Sequence, residues 1–187
     1  MKTTAASTRI CPVEGAGMLD HPLRRLFQNP RKIVAPHLRE GLRVLEVGCG
    51  PGYFTVSMAQ LVGASGSVTA VDLQSGMIER LTAKITGTAV ESRIHSFCGE
   101  VGGLEASEHF DFAFLFYMVH EVPDARSFFR EIAAHLAPSG TVLVVEPPIH
   151  VSRQGFERTL AAAQEAGLTK IASPRLFPNH TALLGRA

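Results

Sequence analysis

The sequence predicts a doubly wound α/β sheet, and three observations lead to that fold class. Short β-rich runs alternate with stretches of helical periodicity from Leu42 onward. The first run ends in a cluster of glycines where a strand passes into a helix. The run Phe110–Phe116 is continuously apolar except for Asp111, a pattern that only a sheet covered on both faces can bury.

The elements follow in order. Leu19, Leu23, Leu26 and Phe27 recur at helical spacing before Asn29-Pro30 breaks the pattern, and Ile33, Val34 and Leu38 continue as a second short helix. Together they form an N-terminal helical cap over residues 1–40, with residues 41–187 as the α/β core of one domain. Leu42–Val47 reads as the first strand, and Gly48-Cys-Gly-Pro-Gly52 as the turn into a helix over Tyr53–Val62. Ser67–Asp72 is the second strand, and Ser75–Ile85 a helix with Ser75 as its N-cap. Arg93–Cys98 and Phe110–Phe116 follow as strands, then a helix over Asp124–Leu136 that Pro138-Ser-Gly140 stops, then the strand Thr141–Val145. Val151–Ala166 is the last helix, with Gly167 at its end. The runs Leu168–Ser173 and Ala182–Gly185 are too close in sequence for a crossover helix and read as an antiparallel edge hairpin.

Composition narrows the function classes. With 45% apolar and 19% charged residues the chain is an ordinary globular domain of 187 residues. A net charge of +1 without a run of Lys or Arg predicts no nucleic-acid partner. The polar N-terminal stretch and the lack of a long apolar window predict a cytoplasmic chain with no membrane span. Cys11, Cys49 and Cys98 are odd in number and show no C-x-x-C spacing. Reduced thiols are therefore expected and no metal site is, although Cys11 and His21 are noted as potential distant ligands.

Function is carried by the loop Glu46-Val-Gly-Cys-Gly-Pro-Gly52. Glycines at a strand–helix turn let main chain approach a ligand without a Cβ collision. Twenty residues past Gly52, Asp72 ends the second strand, where a carboxylate can accept from the two hydroxyls of a ribose. Gly48, Gly50 and Gly52 alternate, unlike the G-x-G-x-x-G of dinucleotide folds. A carboxylate at Glu46 would repel a pyrophosphate and attract a cationic amino-acid tail.

Four ordered segments carry a resemblance: Val44-Leu-Glu-Val-Gly-Cys-Gly-Pro-Gly-Tyr-Phe54, Val68-Thr-Ala-Val-Asp-Leu-Gln-Ser-Gly-Met77, Asp111 through Val119-His-Glu-Val-Pro-Asp124, and Leu136-Ala-Pro-Ser-Gly-Thr-Val-Leu143. In these the chain resembles the class I S-adenosylmethionine-dependent methyltransferases, particularly the group that includes the ubiquinone-biosynthesis C-methyltransferases. The resemblance implies a Rossmann-like, mostly parallel seven-stranded sheet of order 3-2-1-4-5-7-6 with a C-terminal antiparallel hairpin. It further implies S-adenosylmethionine as cofactor. Gly48, Gly50 and Gly52 would surround its methionyl and ribose portion, Glu46 would organise the loop and face the amino group, and Asp72 would hold the ribose. Leu73 and Met77 would pack on the adenine, with Glu100 near its amino group, and Val101, Phe116 and Tyr53 would complete the cofactor site.

Methyl transfer from a sulfonium chiefly requires positioning of the acceptor and exclusion of water. Tyr117 and His120 leave the C-terminal end of the fourth strand and are the catalytic candidates. His120 is weighed as a general base against a residue that orders the loop or packs on substrate. The absence of a long insertion between strands favours a small-molecule acceptor. Two other readings stand beside this one: an NAD(P)-dependent oxidoreductase, for which no Tyr-x-x-x-Lys or substrate domain is present, and a non-catalytic S-adenosylmethionine-binding regulatory protein.

Overall fold

A computed structural model describes residues 28–187. The expected helix over Leu19–Phe27, and Cys11 and His21, lie outside the described residues. Helix α1 (Pro30–Val34) opens the described part. Asn29 caps it by accepting from the Lys32 N–H, and Pro30 sits where no donor is needed. A 3₁₀ turn, Ala35–His37, follows. The strands are β1 (Arg43–Val47), β2 (Ser67–Asp72), β3 (Ile94–Cys98), β4 (Phe110–Phe116), β5 (Leu136–Glu146), β6 (Leu168–Ala172) and β7 (His180–Arg186). The remaining helices are α2 (Thr55–Leu61), α3 (Ser75–Ile85), α4 (Ala125–His135) and α5 (Arg153–Glu165). The seven strands form one sheet of order β3-β2-β1-β4-β5-β7-β6, as the resemblance implied. It is parallel from β3 to β5, and β7 pairs antiparallel with both β5 and β6.

Side-chain alternation on β4 divides the core. Phe112, Phe114 and Phe116 pack with Val44, Met58 and Leu81 on the face covered by α1, α2 and α3. Ala113 and Leu115 pack with Leu45, Phe129 and Ile132 on the face covered by α4 and α5. Asp111, the one charge in that strand, sits at its entrance, where its carboxylate accepts from the Arg43 N–H at 2.9 Å and lies 3.6 Å from the Arg43 guanidinium. No helix among the described residues is long and apolar enough to cross a membrane.

Two local expectations change. Gln74, not Ser75, occupies the N-cap of α3, and its N–H donates to Asp72 Oδ1 at 3.0 Å, so the acid at the end of β2 organises the entry to the helix. The helix ends where expected, at His135 with Leu136 as its C-cap, but Leu136–Gly140 already belong to β5 rather than to a connection. Leu136 pairs with Phe110 and is buried, and the register resumes only at Phe112↔Thr141, so Ala137–Gly140 form an irregularity within the strand. The carbonyls of Ala133 and Leu136 at this junction both accept from the Arg186 guanidinium on β7.

Candidate functional site

The glycine loop is shaped by the strand beside it. The N–H groups of Gly48 and Cys49 donate to the Val71 carbonyl at 2.8 and 3.1 Å, and the Gly50 N–H donates to Asp72 Oδ2 at 2.9 Å. Gly48 has φ +73°, and a Cβ there would meet Met118 Cβ at 3.0 Å, so glycine is needed both for conformation and for the approach of the segment after β4. Gly52 has φ +82°, and a Cβ there would lie 2.4 Å from Leu81 Cδ1 on α3. Gly52 thus packs the loop against a helix, whereas the position of a Cβ on Gly50 is open space.

Above the C-terminal ends of β1, β2 and β4 lies a cavity of about 560 Å³. Every site residue expected from the sequence lines it except Gly52 and His120. Gly52 instead borders a second hollow between α1 and α3. Glu46 is buried, and its Oε2 accepts from the Thr55 hydroxyl at 2.5 Å. Burial pushes its carboxyl up to about 8, with the nearby Asp72 charge adding to the effect and the Thr55 bond opposing it. Leu73 is 54% exposed although it is a leucine, and it lines the hollow together with the buried Met77 and Val101. These three supply an apolar slot for a planar ring, and Glu100 stands beside it.

Tyr53, Phe54, Phe116 and Tyr117 form an aromatic wall, with Phe54 and Phe116 centroids 4.6 Å apart and Phe116 and Tyr117 stacked at 4.1 Å. Tyr117 adopts φ 60°, the only non-glycine positive φ among the described residues, a conformation costing about 1–3 kcal/mol that the surroundings must offset. They do so at three points. The Tyr117 N–H donates to the Val145 carbonyl, its hydroxyl donates to Asn179 Oδ1 at 2.6 Å, and that hydroxyl accepts from Gln28 Nε2 at 2.9 Å. The Tyr53 hydroxyl donates to the Gln28 carbonyl at 2.8 Å.

His120 is turned toward β5. Its Nδ1 is 2.6 Å from Glu146 Oε2, its N–H donates to Glu146 Oε1 at 3.1 Å, and its ring stacks on His150. The bond to Glu146 holds the imidazole above its ordinary range. Glu146 is completely buried, so the pair fastens the turn Val119–Glu121 to the sheet. Cys49 is buried and its thiol is pushed far up by that burial, the setting of a packing residue rather than of an activated thiolate. No group of three His, Cys, Asp or Glu among the described residues is placed to hold a metal.

Sequence reasoning missed one side of the cavity, made by Met118, Glu121, Val122, Phe128 and Glu131. The available signal was the cap Asp124-Ala-Arg-Ser127, in which Asp124 accepts from the N–H and hydroxyl of Ser127 and so starts α4 at the cavity edge.

The donor set suits S-adenosylmethionine: carboxylates for an ammonium and for ribose hydroxyls, an apolar slot for adenine, and no Lys or Arg among the lining residues to oppose a sulfonium. Residues 44–140 match the family described as a methyltransferase domain. A demethylmenaquinone methyltransferase of Lactobacillus johnsonii is 28% identical over 152 residues, covering 79% of this chain and 57% of the relative, so the chain spans little more than half that protein's length. Among solved structures, a SAM-dependent methyltransferase from Aquifex aeolicus superposes with a TM-score of 0.83 at 20% identity, covering 94% of this chain and 98% of that one. The cyclase SpnF superposes with a TM-score of 0.67 at 20% identity, covering 79% of this chain and 60% of that one. By the matched domain and the fold that carries it, the chain belongs to the class I S-adenosylmethionine-dependent methyltransferase family.

Proposed function

We propose that this chain transfers a methyl group from S-adenosylmethionine to a small organic acceptor. The observation that carries the reading is a single cavity that joins Asp72, the β1–α2 loop, the Leu73–Met77–Val101 slot and an aromatic wall, with acidic side chains and no basic one among its lining residues. When bound, the cofactor supplies an electrophilic methyl on sulfur. Asp72 holds the ribose. Its two main-chain bonds, to Gly50 and Gln74, leave further lone pairs on each oxygen for hydroxyl donors. Glu46 meets the amino group, whose charge favours the ionised carboxylate that burial disfavours.

Tyr53, Phe116 and Tyr117 face the methyl end and hold an acceptor with a flat, apolar body while excluding water. The name of the Lactobacillus johnsonii relative, a demethylmenaquinone methyltransferase, agrees with a quinol-like acceptor. His120 serves to hold the loop. Its Nδ1 is taken by Glu146 and its ring is not part of the cavity lining, which supports that role over proton abstraction at the acceptor.

A Rossmann-like sheet with an acidic residue after β2 also suits a nicotinamide dinucleotide, and the fold also carries a cyclase, so the ligand has to be tested directly. S-adenosylhomocysteine at about 100 times its dissociation constant should raise stability by about 2.7 kcal/mol, visible as a shifted thermal midpoint, while NADH should give none. Protection by NADH with none by S-adenosylhomocysteine would overturn the proposal. Protection by S-adenosylhomocysteine without turnover across phenols, quinols, thiols, amines and arsenicals would favour a regulatory binder.

A further inference from the structure

The turn after β4 divides its two polar side chains. Val119–Glu121 is a single 3₁₀ turn, in which successive side chains diverge by about 120°. Glu146 holds His120 by both its N–H and its Nδ1, which draws that side chain toward β5. The next residue, Glu121, is thereby aimed into the cavity, where it joins Tyr117 and Met118 in the lining.

Glu121 differs from the acids that already have work in the cavity. Glu46 accepts from Thr55, Asp72 accepts from Gly50 and Gln74, and Asp124 caps α4. No hydrogen bond or ion pair within the described residues engages the half-buried Glu121 carboxylate, and its charged neighbours include Asp72 and Glu146 of like sign as well as His120. Burial is the main influence that pushes its carboxyl upward, the neighbouring His120 opposes it, and the Asp72 and Glu146 charges add to it. No Lys or Arg lines this cavity to offset it.

From this placement we infer that Glu121 sets the charge class of the acceptor, admitting a cationic or neutral hydrogen-bond donor such as an amine or hydroxyl and rejecting an anion. The inference rests on the methyltransferase reading, because the cofactor must fill the Asp72 end for the acceptor to meet Glu121. An anion entering there would face like charge in a partly desolvated space, whereas an ammonium or hydroxyl would donate to the carboxylate.

The test uses three probes with the same aromatic body: phenethylamine, phenethyl alcohol and phenylacetate. Their binding is measured by calorimetry on protein saturated with S-adenosylhomocysteine, at about pH 8, where phenylacetate is an anion and phenethylamine a cation. The amine and the alcohol should each bind at least about tenfold tighter than phenylacetate, a factor corresponding to about 1.4 kcal/mol. Glu121→Gln should close most of that gap while S-adenosylhomocysteine still binds, and Glu121→Lys should invert it. Equal or tighter binding of phenylacetate, an unchanged gap in Glu121→Gln, or no binding of any probe to the loaded protein would each overturn the assignment. Failure of S-adenosylhomocysteine itself to bind the wild-type chain would instead remove the methyltransferase reading, and this inference with it.

Discussion

Replacing Glu46 with Gln should remove most of the pH dependence of stability on the acid side of neutrality. Glu46 is buried beneath the glycine loop, and its carboxyl is raised from 4.5 to about 8, first by burial and next by the neighbouring Asp72 charge. The folded state therefore keeps a proton that the unfolded chain releases above about pH 4.5, so stability falls as pH rises through this interval and levels off above about pH 8. At about 1.4 kcal/mol for each pH unit, the loss between about pH 5 and about pH 8 comes to about 4 kcal/mol. Glutamine has nearly the same shape, can still accept from the Thr55 hydroxyl, and does not titrate. Urea unfolding at the two pH values should show the wild type losing that stability and Glu46→Gln losing much less. Saturation with S-adenosylhomocysteine should restore part of it in the wild type alone, because an ammonium beside Glu46 favours the ionised form. Parallel pH profiles for the two proteins would refute the assignment of a protonated buried acid.

Asp72→Ala removes a charged acceptor worth about 1.5–3 kcal/mol per hydrogen bond and should weaken S-adenosylhomocysteine binding at least about tenfold; unchanged affinity by calorimetry would dismiss the ribose role. Gly52→Ala combines positive φ with a contact 2.4 Å from Leu81 Cδ1. It should cost about 1–3 kcal/mol, and in a Leu81→Ala background the added cost should shrink to the backbone contribution alone. His120→Ala leaves the buried Glu146 with one N–H partner and should cost about 1–3 kcal/mol, while affinity for S-adenosylhomocysteine stays nearly intact. Because the imidazole is held above its ordinary 6.5, its contribution is complete below that value and fades as pH rises through the elevated one. An unfolding series should show that step only with His120 present, and a large loss of cofactor binding in His120→Ala would place the residue at the ligand instead.

Amino-acid types alone were sufficient wherever the physical cause is local. Gly48 and Gly52 need positive φ, Asp72 closes a strand, and Phe110–Phe116 must be covered on two faces, so the β1–α2 loop, its acidic partner and the parallel core could be read directly. The hairpin of β6 and β7 followed from a separation too short for a helix. Where distant groups compete, only the tertiary structure decided. Pro138-Ser-Gly140 reads as the stop of a helix, and the helix does end at His135, yet pairing of Leu136 with Phe110 carries the stretch after it into β5 as an irregularity. On paper His120 is a catalytic candidate and its neighbour Glu121 is not. A carboxylate 26 residues away, buried at the end of β5, holds the first and thereby turns the second into the cavity. Backbone conformation is dictated by neighbours along the chain, but the direction of a polar side chain on a turn is dictated by which buried partner reaches it.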